Sequence, residues 1–168
     1  MKALMLTALW TAMLVAAVWG LWHYHEPLLA QRWYAELQNG PESEAPTQLD
    51  QLARLGPAGL PYLVHAMDDS RESVARRARR AVWDAISGWE KLPPRDAALR
   101  LRTLVDALDA RVESFGPTAQ WEAGQITVRL LQWPIDGARP EGRHIVAACE
   151  RILARTEARR HPDAAPTG

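Results

Sequence analysis

A single cysteine, Cys149, in 168 residues excludes a disulfide within the chain, so no covalent staple supports its core. Lysine is almost missing too. Of the 20 basic residues only Lys2 and Lys91 are lysines, an arginine bias that fits a GC-rich bacterial coding sequence. Net charge is also lacking, because 20 acidic residues balance the 20 basic ones, and no global field draws the chain to nucleic acid. No stretch alternates apolar and polar residues with β-branched enrichment, which argues against a sheet. Glycine-rich phosphate loops and nucleophile elbows are absent. The residues therefore point to no catalytic set, no cofactor, no metal and no small-molecule substrate.

What the chain does have begins with an apolar run. From Ala3 to Trp22 the only polar side chains are Thr7 and Thr11. About twenty helical residues at about 1.5 Å rise span roughly 30 Å, the thickness of a bilayer's hydrocarbon core. Trp19, Trp22 and Tyr24 cluster at its exit, where amphipathic rings favour the headgroup level. His23, His25 and Glu26 end the run, and Pro27 discourages continuation of the same helix. The expectation is an uncleaved transmembrane anchor over residues 1–22. Lys2 lies on its N-terminal side, and Arg32 is the lone Lys or Arg from residue 23 to residue 52, which favours the N-terminus inside. The chain then reads as a single-pass protein of the bacterial inner membrane with a periplasmic domain. A cleavable leader is the rival, since Val15-Ala16-Ala17 offers small residues to a peptidase.

Residues 23–46 read as a juxtamembrane segment and linker. Leu28, Leu29, Trp33 and Leu37 recur at helical spacing, either near a membrane surface or packed on the domain. Asn39 to Pro46 is rich in turn formers and marks the domain boundary. Residues 47–156 read as an all-α domain and 157–168 as a disordered tail. Thr47 offers a cap for a helix ending before Gly56, and Pro61 sits near the first turn of the next. Asp68-Asp69-Ser70 is a turn with caps for a long helix. In that helix Val74, Ala78, Ala81, Val82, Ala85, Ile86 and Trp89 form the apolar stripe, with Arg76, Arg77, Arg79 and Arg80 off it. A second stripe runs Ala97, Leu101, Leu104, Val105, Leu108, Val112 and Phe115, and a third Ala119, Ala123, Ile126, Leu130 and Trp133. After a loop over 134–142, Ile145, Ala148, Cys149, Ile152 and Leu153 mark the last helix. A shift of 44 positions superposes Ala75 on Ala119, Val82 on Ile126, Ile86 on Leu130 and Trp89 on Trp133.

The stretch Leu52-Ala53-Arg54-Leu55-Gly56-Pro57-Ala58-Gly59-Leu60-Pro61 resembles the opening of a bacterial HEAT-like repeat, in which a helix ending in Leu-Gly leads to a second beginning with a Pro-Leu pattern. Asp68 to Val82 resembles the next junction, with the Arg one place late because Ala75 follows Val74. The resemblance is close over residues 52–89 and extends to 95–153 by helix pattern only. It implies a short α-solenoid of HEAT-like helix pairs that offers a surface to protein partners, with no catalytic residues to carry over. The whole chain thus reads as an N-terminal transmembrane helix followed by that solenoid, a membrane-anchored scaffold or accessory subunit.

Two features stand out as contact candidates. Arg76, Arg77, Arg79 and Arg80 form the strongest local charge cluster, suited to an acidic partner or to anionic lipid headgroups. The plainer reading is a solvated face balanced by Asp68, Asp69, Glu72 and Asp84. Trp83 and Trp121 lie at the edges of their stripes, where each is able to reach an interaction surface. His23 and His25 point to opposite sides of a helix and lack further ligands nearby. Asp106 and Asp109 read as part of a solvated helix face.

Overall fold

Proline sets most of the helix starts. In the computed structural model, which describes residues 25–160, α1 occupies 25–39 and α2 Ala45–Arg54, with Pro46 in its first turn. A 3₁₀ turn over Gly56–Ala58 leads to α3, Leu60–Ala66. Then follow α4, Glu72–Trp89; α5, Pro94–Arg111; α6, Pro117–Leu131; and α7, Pro140–Arg160. The last three begin on proline, whose fixed φ suits the first helical position and whose missing N–H has no partner to lose there. No strand occurs among the described residues.

Between α2 and α3 the chain reverses on Gly56, whose φ of 57° lies in the left-handed region that side chains disfavour. Gly59 is needed for a different reason. A Cβ there would stand 1.9 Å from the carbonyl oxygen of Leu52, so any side chain would force the turn apart.

The helices form two layers. In one, α4 packs on α2 and on α6; in the other, α5 packs on α3 and on α7. Contacts of α3 with α4 and of α6 with α7 join the layers. All seven residues of the α5 stripe, Ala97 to Phe115, are buried, as their spacing predicts. Ala119, Ala123, Ile126 and Leu130 of α6 are buried too, with Trp133 packed partly against the core. Cys149 is fully enclosed, and burial first, then Asp109 and Glu150, push its thiol up to about 11. It is core filler, not a nucleophile.

Several sequence expectations are corrected. The apolar run over 1–22 lies outside the described residues, and no helix among those described is long and apolar enough to cross a membrane. The longest, α7, carries Glu141, Arg143, Glu150, Arg151 and Arg155 along its length. Among the described residues the fold is all-α with no membrane-spanning helix, which corrects the expected anchor-plus-solenoid fold class and the single-pass inner-membrane location that rested on it. Residues 25–39 are not a separate connector, because Ala30 and Leu37 are buried in the same core as the other helices. Thr47 caps nothing: α2 starts two residues earlier behind Glu44. At the other end α7 continues to Arg160, past the expected start of the tail, while 161–168 lie outside the described residues.

The carboxylates of α5 are engaged across the layer. Asp106 meets His144 at 2.5 Å, and Asp109 accepts from Arg151 at 2.6 Å and from Arg155 at 2.7 Å. Reading them as a solvated face missed this clamp between α5 and α7.

Candidate functional site

The arginine cluster does not survive as one patch. Arg79 is only 7 % exposed; it donates to the Met67 carbonyl at 3.0 Å and to Glu72 at 2.8 Å. It lies three residues before Val82 and seven before Ile86, so it belongs to the buried stripe rather than off it. There it closes the end of α3. Arg77 faces Asp50 of α2 at 3.5 Å. Arg76 and Arg80 remain exposed without an ion pair among the described residues. Two spaced guanidinium groups on one helix make a weak anion surface compared with the four-residue cluster the sequence suggests.

The two tryptophans separate as sharply. Trp83 is partly buried against the core, and its indole N–H donates to Glu122 of α6 at 3.0 Å. Together with Arg129 to Glu90 at 2.5 Å, it ties α4 to α6. It acts as a strut between the two helices. Trp121 is 50 % exposed on α6. Val128 and Leu131 on the same helix are also among the exposed large hydrophobic side chains.

The 44-residue register gives these exposed residues a meaning. The inner residues Ala75, Val82 and Ile86 match Ala119, Ile126 and Leu130 in kind, whereas the outer ones do not match: Arg77 corresponds to Trp121, Asp84 to Val128 and Ser87 to Leu131. All six outer residues are exposed. Along the outer ridge of α6, Thr118, Trp121, Gln125, Val128 and Gln132 carry no charge. An uncharged ridge built around an exposed tryptophan resembles the centre of protein interfaces, where aromatics are enriched and charges are depleted. No described helix packs on that side.

A second feature was not legible in the sequence. An open cleft of about 350 Å³ is lined by Tyr34, Gln38 and Asn39 of α1, His65 of α3, the turn Asp68 to Arg71, and Arg111 at the end of α5. Tyr34 stacks on His65 with ring centroids 5.0 Å apart and tilts against Tyr62 at 5.2 Å. Arg71 grips Asp69 with two hydrogen bonds, 2.9 and 3.0 Å, and reaches the α1 carbonyl of Leu37 at 2.8 Å. Asp69 also accepts the Arg71 backbone N–H at 2.9 Å, starting α4, while both oxygens of Asp68 accept the Gly116 N–H at 3.1 Å, where α6 starts. One turn thus caps two helices.

Its electrostatics follow from burial and Arg111. Burial, then the Arg111 charge, hold the His65 imidazole below its usual range, leaving it neutral at physiological pH. Burial raises the Tyr34 hydroxyl, with Arg111 opposing. The Arg71 hydrogen bonds draw the Asp69 carboxyl below its ordinary value.

Comparison of the chain with protein families, with curated proteins and with solved structures finds no match. Geometry alone therefore bears on function. Among the described residues no group of three or more His, Cys, Asp and Glu side chains is arranged to hold a metal ion.

Proposed function

We propose that this chain is a protein-binding helical-repeat module, a scaffold or accessory subunit rather than an enzyme, and that α6 is its recognition helix. The occupant we assign is an amphipathic helix of a partner protein. The observation that carries the reading is the uncharged outer ridge of α6, with Trp121 half exposed towards its N-terminal end. In this layer α4 sits between α2 and α6, and helix packs beside helix. A partner helix on the open side of α6 would extend the same packing, its apolar stripe meeting Trp121, Val128 and Leu131. The HEAT-like junctions in the sequence support the same reading, since such repeats commonly present surfaces to protein partners.

A photo-crosslinking amino acid at position 121 of the full chain, in its native host, tests this. One heterologous protein is expected to crosslink there and not from position 87 on the outer face of α4. With that partner purified, Trp121→Glu should weaken binding roughly 30-fold or more, the effect of losing a hot spot of about 2 kcal/mol. Unchanged affinity, or crosslinks only to a second copy of this chain, would overturn the assignment.

A further inference from the structure

We propose that the cleft between α1, α3 and α5 is a binding site for a single carboxylate group, received by the guanidinium of Arg111. This site is separate from the α6 ridge and does not depend on it.

The case rests on which charges in the cleft are already used. Asp68 is occupied by the Gly116 N–H, and Asp69 by the side chain and backbone of Arg71. Arg71 is in turn spent on Asp69 and on the carbonyls of Leu37 and Gly40. Arg111 differs. It lines the same cleft, yet among the described residues its guanidinium donates no hydrogen bond and forms no ion pair, and its Nε is enclosed without an acceptor. Buried donors are rarely left so, because such a group has given up its bonds to water and gained none in return. Because Arg111 lines the open cleft, an acceptor arriving from outside would meet its terminal donors, not the enclosed Nε.

The chemistry of that acceptor follows from the count. One unspent guanidinium stands beside two carboxylates that are themselves engaged. Both anions meet the two carboxylates, but a dianionic phosphate does so with twice the charge, whereas a carboxylate matches the one guanidinium in charge and in fork geometry. Other donors line the wall. The Tyr34 hydroxyl oxygen accepts from Gln38 Nε2 at 2.6 Å, which leaves its own O–H to donate. Ser70 adds a hydroxyl with no hydrogen bond of its own among the described residues. The stacked rings of Tyr34 and His65 offer an apolar wall to the stem that bears the carboxylate. At about 350 Å³ the cleft lies at the small end of ligand sites, with room for one side chain or a short-chain acid.

The test is a titration of the full chain at constant ionic strength, following the His65 ring and arginine side-chain resonances by NMR. The probes are propionate, the capped peptide acetyl-Gly-Glu-Gly-amide, inorganic phosphate and sodium chloride. Propionate and the peptide are expected to give saturable shifts, weakened about tenfold or more by Arg111→Gln. Tyr34→Phe, which removes one donor and keeps the charge, should weaken them by a smaller factor and guards against Arg111→Gln failing to fold. Tighter binding of the peptide assigns the carboxylate to a partner's acidic side chain; equal binding assigns it to a free small acid, and both support the site. Shifts that chloride reproduces, phosphate binding tighter than propionate, or full affinity in both variants would overturn it.

Discussion

Helices α4 and α6 share a register and face opposite chemical worlds. Ala75, Val82 and Ile86 of α4 and Ala119, Ile126 and Leu130 of α6 occupy matching inner positions, and all six are buried. On the outside, Arg77, Asp84 and Ser87 stand where α6 has Trp121, Val128 and Leu131. Packing dictates the inner residues, because a helix on this scaffold must bury one stripe whatever else it does. Nothing in the scaffold dictates the outer ones. The contrast is therefore about use: α4 is dressed for water, and α6 keeps apolar side chains where charge would cost nothing in stability. The match is incomplete inside as well: α4 buries Val74 and Ala78 where α6 has Thr118 and Glu122, and the sharpest exception is Arg79, buried where α6 buries Ala123.

That exception supplies the largest expected effects. Ala123→Arg should lower stability by several kcal/mol or prevent folding, because α6 provides no counterpart of Glu72 or the Met67 carbonyl to meet the charge, and the site is fully packed. Urea denaturation followed by circular dichroism would read this, and a loss under about 1 kcal/mol would sink the claim that the site is closed. Next comes Arg79→Ala, expected to cost about 1–3 kcal/mol as the Met67 carbonyl and Glu72 lose their donor. Arg76→Ala on the same helix should stay within about 0.5 kcal/mol. The outer exchange is smaller still. Arg77→Trp and Trp121→Arg should each change stability by no more than about 0.5 kcal/mol, while only Trp121→Arg disturbs partner binding. If Trp121→Arg instead destabilises the fold by about 2 kcal/mol, the tryptophan is structural and the contrast between the helices dissolves.

The inner stripes were readable because helical period and burial are local to a few turns. Ala97 to Phe115 needed no tertiary knowledge. Arg79 was misread for a chemical reason: its position lies on the stripe, but a charged residue type is ordinarily exposed, and only the carbonyl at the end of α3 explains its burial. Trp83 and Trp121 look equivalent by spacing and differ because Glu122 is present to receive the Trp83 indole. The cleft was beyond reach. Its residues are scattered from Tyr34 to Arg111 across three helices and a turn, with no spacing that links them. Only the turn itself carried a signal. Asp68-Asp69-Ser70 reads as a capping turn, but that Asp68 starts α6 rather than α4 depends on the packing of the two ends.

The smallest expected effect lies where the two helices begin. Asp69 holds the start of α4 through Arg71, and these hydrogen bonds lower its carboxyl pKa in the folded state. A depressed carboxyl binds its proton later in the folded chain than in the unfolded one. Its contribution is thus complete above about pH 4 and drains away as pH falls through the folded value. His65 acts on a different window. Burial and Arg111 lower its folded pKa, so on acidification the unfolded chain takes up the proton first, and stability declines from about pH 6.5 downward until the folded value is passed. Urea unfolding in a pH series separates them. Asp69→Asn should lower stability at neutral pH and flatten only the acid end of the profile, whereas His65→Gln should flatten the stretch just below about pH 6.5 and leave the acid end intact. Identical profiles for the two variants would mean that the turn does not hold α4 through Asp69. The same measurement with propionate present links the turn to the cleft: a carboxylate beside Arg111 offsets the charge that depresses His65, so the decline attributed to His65 should become shallower in the wild-type chain.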